Sequence, residues 1–143
     1  MNHDNYSDEY LHDILTSAKT IAVVGASPRP QRPSHGVMRY LQGQGYRTIP
    51  VNPYVAGGTI HGERCYASLA EIPEEIDMID VFRRAEMAGG VVEEAIAIGA
   101  RIIWMQLGVR DDEAAARAEA HGIRVVMDRC PAIEIPRLGL RRS

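Results

Sequence analysis

Residues 20–27 read Thr20-Ile21-Ala22-Val23-Val24-Gly25-Ala26-Ser27, an apolar run closed by a Gly-Ala-Ser turn. A polar stretch follows, Pro28-Arg29-Pro30-Gln31-Arg32-Pro33, and Ser34 then stands ahead of an amphipathic segment. A buried strand, a small-residue turn and a helix start, in that order, predict an α/β unit. They also predict backbone N–H groups and a helix N-terminus at the carboxyl edge of a strand, where α/β proteins hold phosphate-bearing ligands.

The alternation continues in both directions. Upstream, Ser7-Asp8-Glu9-Tyr10 opens a helix whose Leu11, Ile14, Leu15 and Ala18 share one face. Downstream, Ser34 is the expected N-cap of a helix running to Gly43, and residues 46–51 form a second strand closed by Asn52-Pro53. Ala56-Gly57-Gly58 reads as a turn, and Ser68-Leu69-Ala70-Glu71 has the spacing of a capping box. Strands are expected over 76–82, 101–106 and 123–127, with helices over 86–98 and from Asp111 to Gly122. Gly89-Gly90 weakens the first of those helices. The arginine-rich tail, 128–143, is expected to finish in a short turn or helix. This order predicts an α/β, Rossmann-like, doubly wound five-stranded parallel sheet with helices on both faces.

Bulk properties narrow the classes. A chain of 143 residues is expected to form a single domain over 1–143 with a core that needs no staple. It is 45% hydrophobic and 24% charged, an ordinary globular balance, and no run approaches the roughly 18 apolar residues of a membrane span. The polar N-terminus does not read as a secretory signal, so a cytoplasmic protein with two reduced thiols, Cys65 and Cys130, is expected. A net charge of −3, with Lys19 the only lysine, gives no electrostatic footprint for nucleic acid.

In such a sheet the ligand crevice lies beyond the carboxyl ends of the strands. Ser27 and Ser34 offer hydroxyls there, and Arg29 or Arg32 can meet a phosphate as a fork; each arginine taken alone is equally a solvated side chain. The Gly25 loop is not G-x-G-x-x-G. Asn52 stands where a classical NAD site places an acidic residue. That counts against NAD and permits a nucleotide with an extra phosphate, while Asn-Pro is also a common turn. Phe82 and Arg83 either flank an adenine and a phosphate or simply finish the core and cap the sheet. The histidines His3, His12, His35, His61 and His121 show no metal spacing, and no nucleophile–base set emerges. Cys130 is the only thiol at a strand end, where burial or exchange with a ligand thiol are both open.

The chain resembles the small CoA-binding protein family, related to the CoA-binding domain of the succinyl-CoA ligase α subunit. The resemblance spans about residues 11–138. It rests on Thr20–Ser27, Arg32-Pro33-Ser34, Gly45-Tyr46 with Ile49–Pro53, Asp80–Arg83, Trp104–Gly108 and Val126–Cys130, six pieces in the same order. It implies a Rossmann-like domain that binds coenzyme A across the strand tips. By that likeness Gly25, Ala26, Ser27, Pro33 and Ser34 would face the diphosphate. Asn52 and Pro53 would flank the nucleotide, Val81, Phe82 and Arg83 the adenine side, and Gln106 and Gly108 the pantetheine path. His35 receives no role. The ligases add a phosphohistidine domain and an ATP-grasp partner, for which this chain has no room, so ligase activity by the chain alone is not expected. Three functions stand: a CoA or acyl-CoA binder without catalysis of its own, a small NAD(P)-linked oxidoreductase, and a CoA- or redox-sensing regulator acting through Cys130.

Overall fold

The computed structural model describes residues 1–140; the end of the predicted tail, 141–143, lies outside the described residues. Helix α1 spans Asp8–Ser17, and the Ser7 side chain accepts from the Tyr10 amide as its N-cap. Strand β1, Thr20–Val24, leads through the loop to helix α2, Pro33–Gly43, and strand β2, Arg47–Val51. A small antiparallel hairpin, β3 (Thr59–Ile60) and β4 (Glu63–Arg64), and a 3-10 turn, Leu69–Glu71, precede strand β5, Met78–Val81. Helix α3 (Ala85–Ile98), strand β6 (Ile102–Met105), helix α4 (Asp112–Ala120), strand β7 (Arg124–Val126) and helix α5 (Pro131–Arg137) complete the order.

The five long strands form one parallel sheet in the order β2-β1-β5-β6-β7. The chain moves outward from β1 to β2 and then returns past β1 to β5. The strand order therefore reverses between β1 and β5, which is where an open α/β sheet leaves a crevice. Alternate strand residues feed two cores. Ala22, Ile49, Ile79 and Ile103 pack with α3 and α4, while Ile21, Val23, Met78 and Trp104 pack with α1, α2 and α5.

Several local expectations are corrected. Helix α2 begins at Pro33, and its N-cap is Arg32 without a side-chain bond, because proline's fixed φ suits the first helical position. Ser34 is thus not the cap; it lies inside the first turn and is buried. Ser68 makes no capping bond, and a single 3-10 turn forms in place of a helix; Glu71 accepts from the Ala67 amide. The β3–β4 hairpin has no counterpart in the sequence reading. Helix α3 runs through Gly89 because α4 packs close there: an added Cβ would lie 3.3 Å from Arg117 Nη2.

Strand β7 is a sheet edge, and the N-terminal segment covers it. The Tyr10 hydroxyl donates to the Val125 carbonyl at 2.9 Å and accepts the Val125 amide at 3.1 Å, and the Tyr6 hydroxyl accepts the Met127 amide at 2.9 Å. Burial pushes the Tyr10 phenol up to about 12, so it stays a donor. Two phenols thereby occupy edge groups that would otherwise template another strand. Tyr10→Phe should cost about 1–3 kcal/mol in urea unfolding, since it strands a buried donor and acceptor together; an unchanged midpoint would show that water replaces the hydroxyl.

Asp80 is fully buried between Val23 and Trp104, with both carboxylate oxygens unpartnered among the described residues. Burial holds its carboxyl well above the ordinary carboxylate range. A carboxyl raised in the folded state contributes its stability below the unfolded value near about 3.9, and loses it as the pH climbs through the folded one. Stability should therefore fall more steeply as the pH rises above about 4 in the wild type than in Asp80→Asn, which has no charge to form. Thermal unfolding checks this, and equal pH slopes would refute it.

Candidate ligand cleft

The strand tips open into one cleft of about 790 Å³. Asn52 follows β2, Gly25 follows β1, Phe82 follows β5, Gln106 follows β6, and Cys130 stands beyond β7; all five line it. At the ordinary strand spacing, four intervals make a trough about 19 Å long. Helix α2 supplies one wall through Pro33, Ser34 and Val37.

Gly25 sets the floor. Its φ is +88°, and a Cβ there would sit 2.5 Å from the Phe82 carbonyl oxygen. Its amide is not free, as the sequence had suggested for this turn; it donates to the Val51 carbonyl at 2.9 Å, one step beyond the strand ladder. The amides of Ala26, Ser27 and Ser34 make no hydrogen bond among the described residues. The Ser27 hydroxyl accepts from the Arg29 amide at 3.1 Å, turning the loop.

Asn52 staples that loop. Its Nδ2 donates to the Ala26 carbonyl at 2.8 Å, and its Oδ1 accepts from the Tyr54 amide at 2.9 Å. Asn52 therefore works as a turn residue while lining the cleft, so the two readings hold together. Across the trough, Asp128 adopts φ +57° and its Oδ1 accepts the Gly108 amide at 2.7 Å. This carboxylate ties the β6 and β7 tips together and occupies the Gly108 N–H.

Of the residues singled out in the sequence, Gly25, Ser27, Arg29, Arg32, Pro33, Ser34, Asn52, Phe82, Arg83, Gln106 and Gly108 come together on this cleft. Three do not line it. The Ala26 and Val81 side chains are buried in the two opposite cores, as strand alternation requires for Val81. Pro53 lines a neighbouring hollow of about 390 Å³ that shares Tyr54 and Arg83 with the main cleft. His35 packs on His61 with ring centroids 4.0 Å apart and does not line the cleft. Sequence reasoning did not single out Val37, Tyr54, Val55, Arg84, Leu107 or Val109. Tyr54 was the readable one, a large aromatic directly after Asn-Pro.

Charge in the trough has one sign. Arg29, Arg32, Arg83 and Arg84 line it, and no Asp or Glu does. Among the described residues, only Arg84 of these four has a carboxylate within 4 Å, Glu86 at 3.8 Å, and both are well exposed. On the floor, Gln106 is 6% exposed and its Oε1 has no hydrogen-bond partner among the described residues. The site thus combines a row of cations with a floor residue whose shielded amide oxygen has no partner among the described residues.

Residues 19–136 match the CoA binding domain family. The chain belongs to that family. It is 41% identical over 126 residues to the uncharacterized protein YneT of Bacillus subtilis, covering 88% of this chain and 92% of that one. It is 33% identical over 97 residues to the α subunit of an ADP-forming acetate–CoA ligase I of Pyrococcus furiosus; the match covers 64% of this chain but 21% of that subunit. A hypothetical protein from Pyrococcus horikoshii superposes with a TM-score of 0.90 at 38% identity, covering 96% of each chain. A Thermus thermophilus protein gives 0.88 at 42%, covering 93% of this chain and 99% of its own. The fold is therefore the Rossmann-like α/β fold of CoA-binding domains. No helix among the described residues is long and apolar enough to cross a membrane.

The floor contact yields a direct expectation. Gly25→Ala should destabilise the chain by about 2–4 kcal/mol, combining a left-handed backbone penalty with overpacking against a carbonyl. Urea denaturation measures this, and a loss near zero would mean that the β1 turn relaxes freely.

Proposed function

We propose that this chain binds coenzyme A or an acyl-CoA along the trough at the strand tips. The observation that carries the reading is the trough's lining: four arginines beside open loop amides, no carboxylate side chain, and the polar residue Gln106 on the floor. The arginines and amides suit phosphates, through charge-assisted forks and a loop–helix N-terminus. Gln106 offers a polar side chain along the path of a pantetheine arm. Family membership and the match to an acetate–CoA ligase subunit support the same ligand.

The described cleft brings together no nucleophile and base, so we read the chain as a binding domain without catalysis of its own. A small NAD(P)-linked oxidoreductase is the weaker reading, since Asn52 replaces the acidic ribose partner and is already engaged with backbone.

Calorimetric titration of the full chain with CoA, dephospho-CoA and NADPH tests the proposal. CoA should bind, and Gln106→Leu should weaken it by about tenfold, the equivalent of one lost hydrogen bond of about 1.4 kcal/mol. Tight NADPH binding with no CoA heat would overturn the reading.

A further inference from the structure

Two side chains belong to both cavities at the strand tips. Tyr54 and Arg83 are the residues that the trough of about 790 Å³ and the neighbouring hollow of about 390 Å³ have in common. Tyr54 stands after β2 and Arg83 after β5, on either side of the β1 tip. Tyr54 is 88% exposed, so its ring is open to a ligand, while its amide is fixed by donating to Asn52 Oδ1 at 2.9 Å. Arg83 is half-buried and meets no carboxylate within 4 Å among the described residues.

The two cavities differ in chemistry. The trough carries four arginines and no acidic side chain. The hollow is walled by Val51, Leu69, Met87 and Val91, and Glu94 is its acid; Arg83 is its one cation among the described residues. Phosphates therefore suit the trough and its edge, and an uncharged planar ring suits the hollow. Helix α2, which walls the trough, packs on one face of the sheet, and the hollow lies against α3 on the other.

We propose that Tyr54 and Arg83 form a gateway for the nucleoside end of the ligand: the base stacks on Tyr54 and enters the hollow, and Arg83 binds the phosphate on the ribose, which makes it the residue that selects CoA over dephospho-CoA. This rests on the CoA-binding reading and names the groups that read the nucleotide. A ligand whose diphosphate is held at the β1–α2 loop crosses the strand tips to reach the hollow, and these two side chains flank the crossing. A phosphate monoester carries about −1.5 to −2 charges at neutral pH. At the gateway it meets a guanidinium fork, whereas inside the hollow it would face Glu94. Asn52, on the same strand tip as Tyr54, does not share the role, because its side chain is engaged with the Ala26 carbonyl and the Tyr54 amide.

The test is calorimetric titration of the full chain with CoA and with dephospho-CoA. The wild type should bind CoA at least about tenfold more tightly than dephospho-CoA, as one charge-assisted bond implies. Arg83→Gln should bring that ratio to within about twofold. Arg29→Gln, at the diphosphate side, should weaken both ligands by similar factors and keep the ratio. Tyr54→Ala should weaken both by at least about fivefold, the loss of one base stack. Equal affinity of the wild type for the two ligands, a ratio that survives Arg83→Gln or is lost equally in Arg29→Gln, or full affinity in Tyr54→Ala would overturn the proposal. Failure of the wild type to bind either ligand would instead remove the reading beneath it, and this proposal with it.

Discussion

The passage of Gly25 over the Phe82 carbonyl is the constraint on which the cleft depends. β1 and β5 are neighbours in the sheet, and the chain leaves them in different directions. The Phe82 amide still donates to Val24 at 2.8 Å and the Gly25 amide to Val51 at 2.9 Å, so the ladder persists to the last residue before the loop. The turn must then bend immediately across a neighbouring backbone, and only a residue without a side chain fits. Ala26 is thereby presented to the Asn52 staple, and Ser27 to the Arg29 amide, which together aim the arginine loop at α2. Lifting that one turn would move the whole arginine-bearing loop at once.

Legibility followed from how local each signal is. The five buried strands could be read because parallel strands covered on both faces are short apolar runs, and residues 20–24 and 102–105 are unambiguous. The cleft residues could be read because they follow strand ends, and topology does the rest. The α2 start was misread because Ser34 and Pro33 both carry start signals, and proline takes the first helical position. The β3–β4 hairpin was illegible because its strands have two residues each. It gains its place from long-range packing, Ile60 in the core with Met38 and Leu41. The role of Asp128 was hidden for a similar reason. Its left-handed φ and its bond to Gly108 arise only once β6 and β7 lie side by side.

The distribution of arginine separates surface from site. Arg47, Arg101, Arg110, Arg117, Arg124 and Arg137 each meet a carboxylate on the outer surface. Exposed pairs of this kind contribute about 0–1 kcal/mol each, so they shape charge balance more than stability. Arg29, Arg32 and Arg83 have no such partner among the described residues, and they share one trough. Arg39, Arg64 and Arg129 also lack a carboxylate partner among the described residues but lie outside the trough; what sets the trough apart is four arginines together with no acidic side chain in its lining. That arrangement favours anions in the cleft.

Tyr40 Oη, Thr48 Oγ1, both Asp80 oxygens and Gln106 Oε1 are shielded without a partner among the described residues. Each such group costs on the order of 1–3 kcal/mol unless something satisfies it. Tyr40, Thr48 and Asp80 do not line the cleft, and Asp80 relieves its burden by holding a proton. Gln106 cannot do so, because an amide does not titrate. Its oxygen stays shielded inside a residue that lines the trough, two strands away from the Gly25 turn and one strand short of Cys130, so its desolvation is a cost that the cleft floor carries.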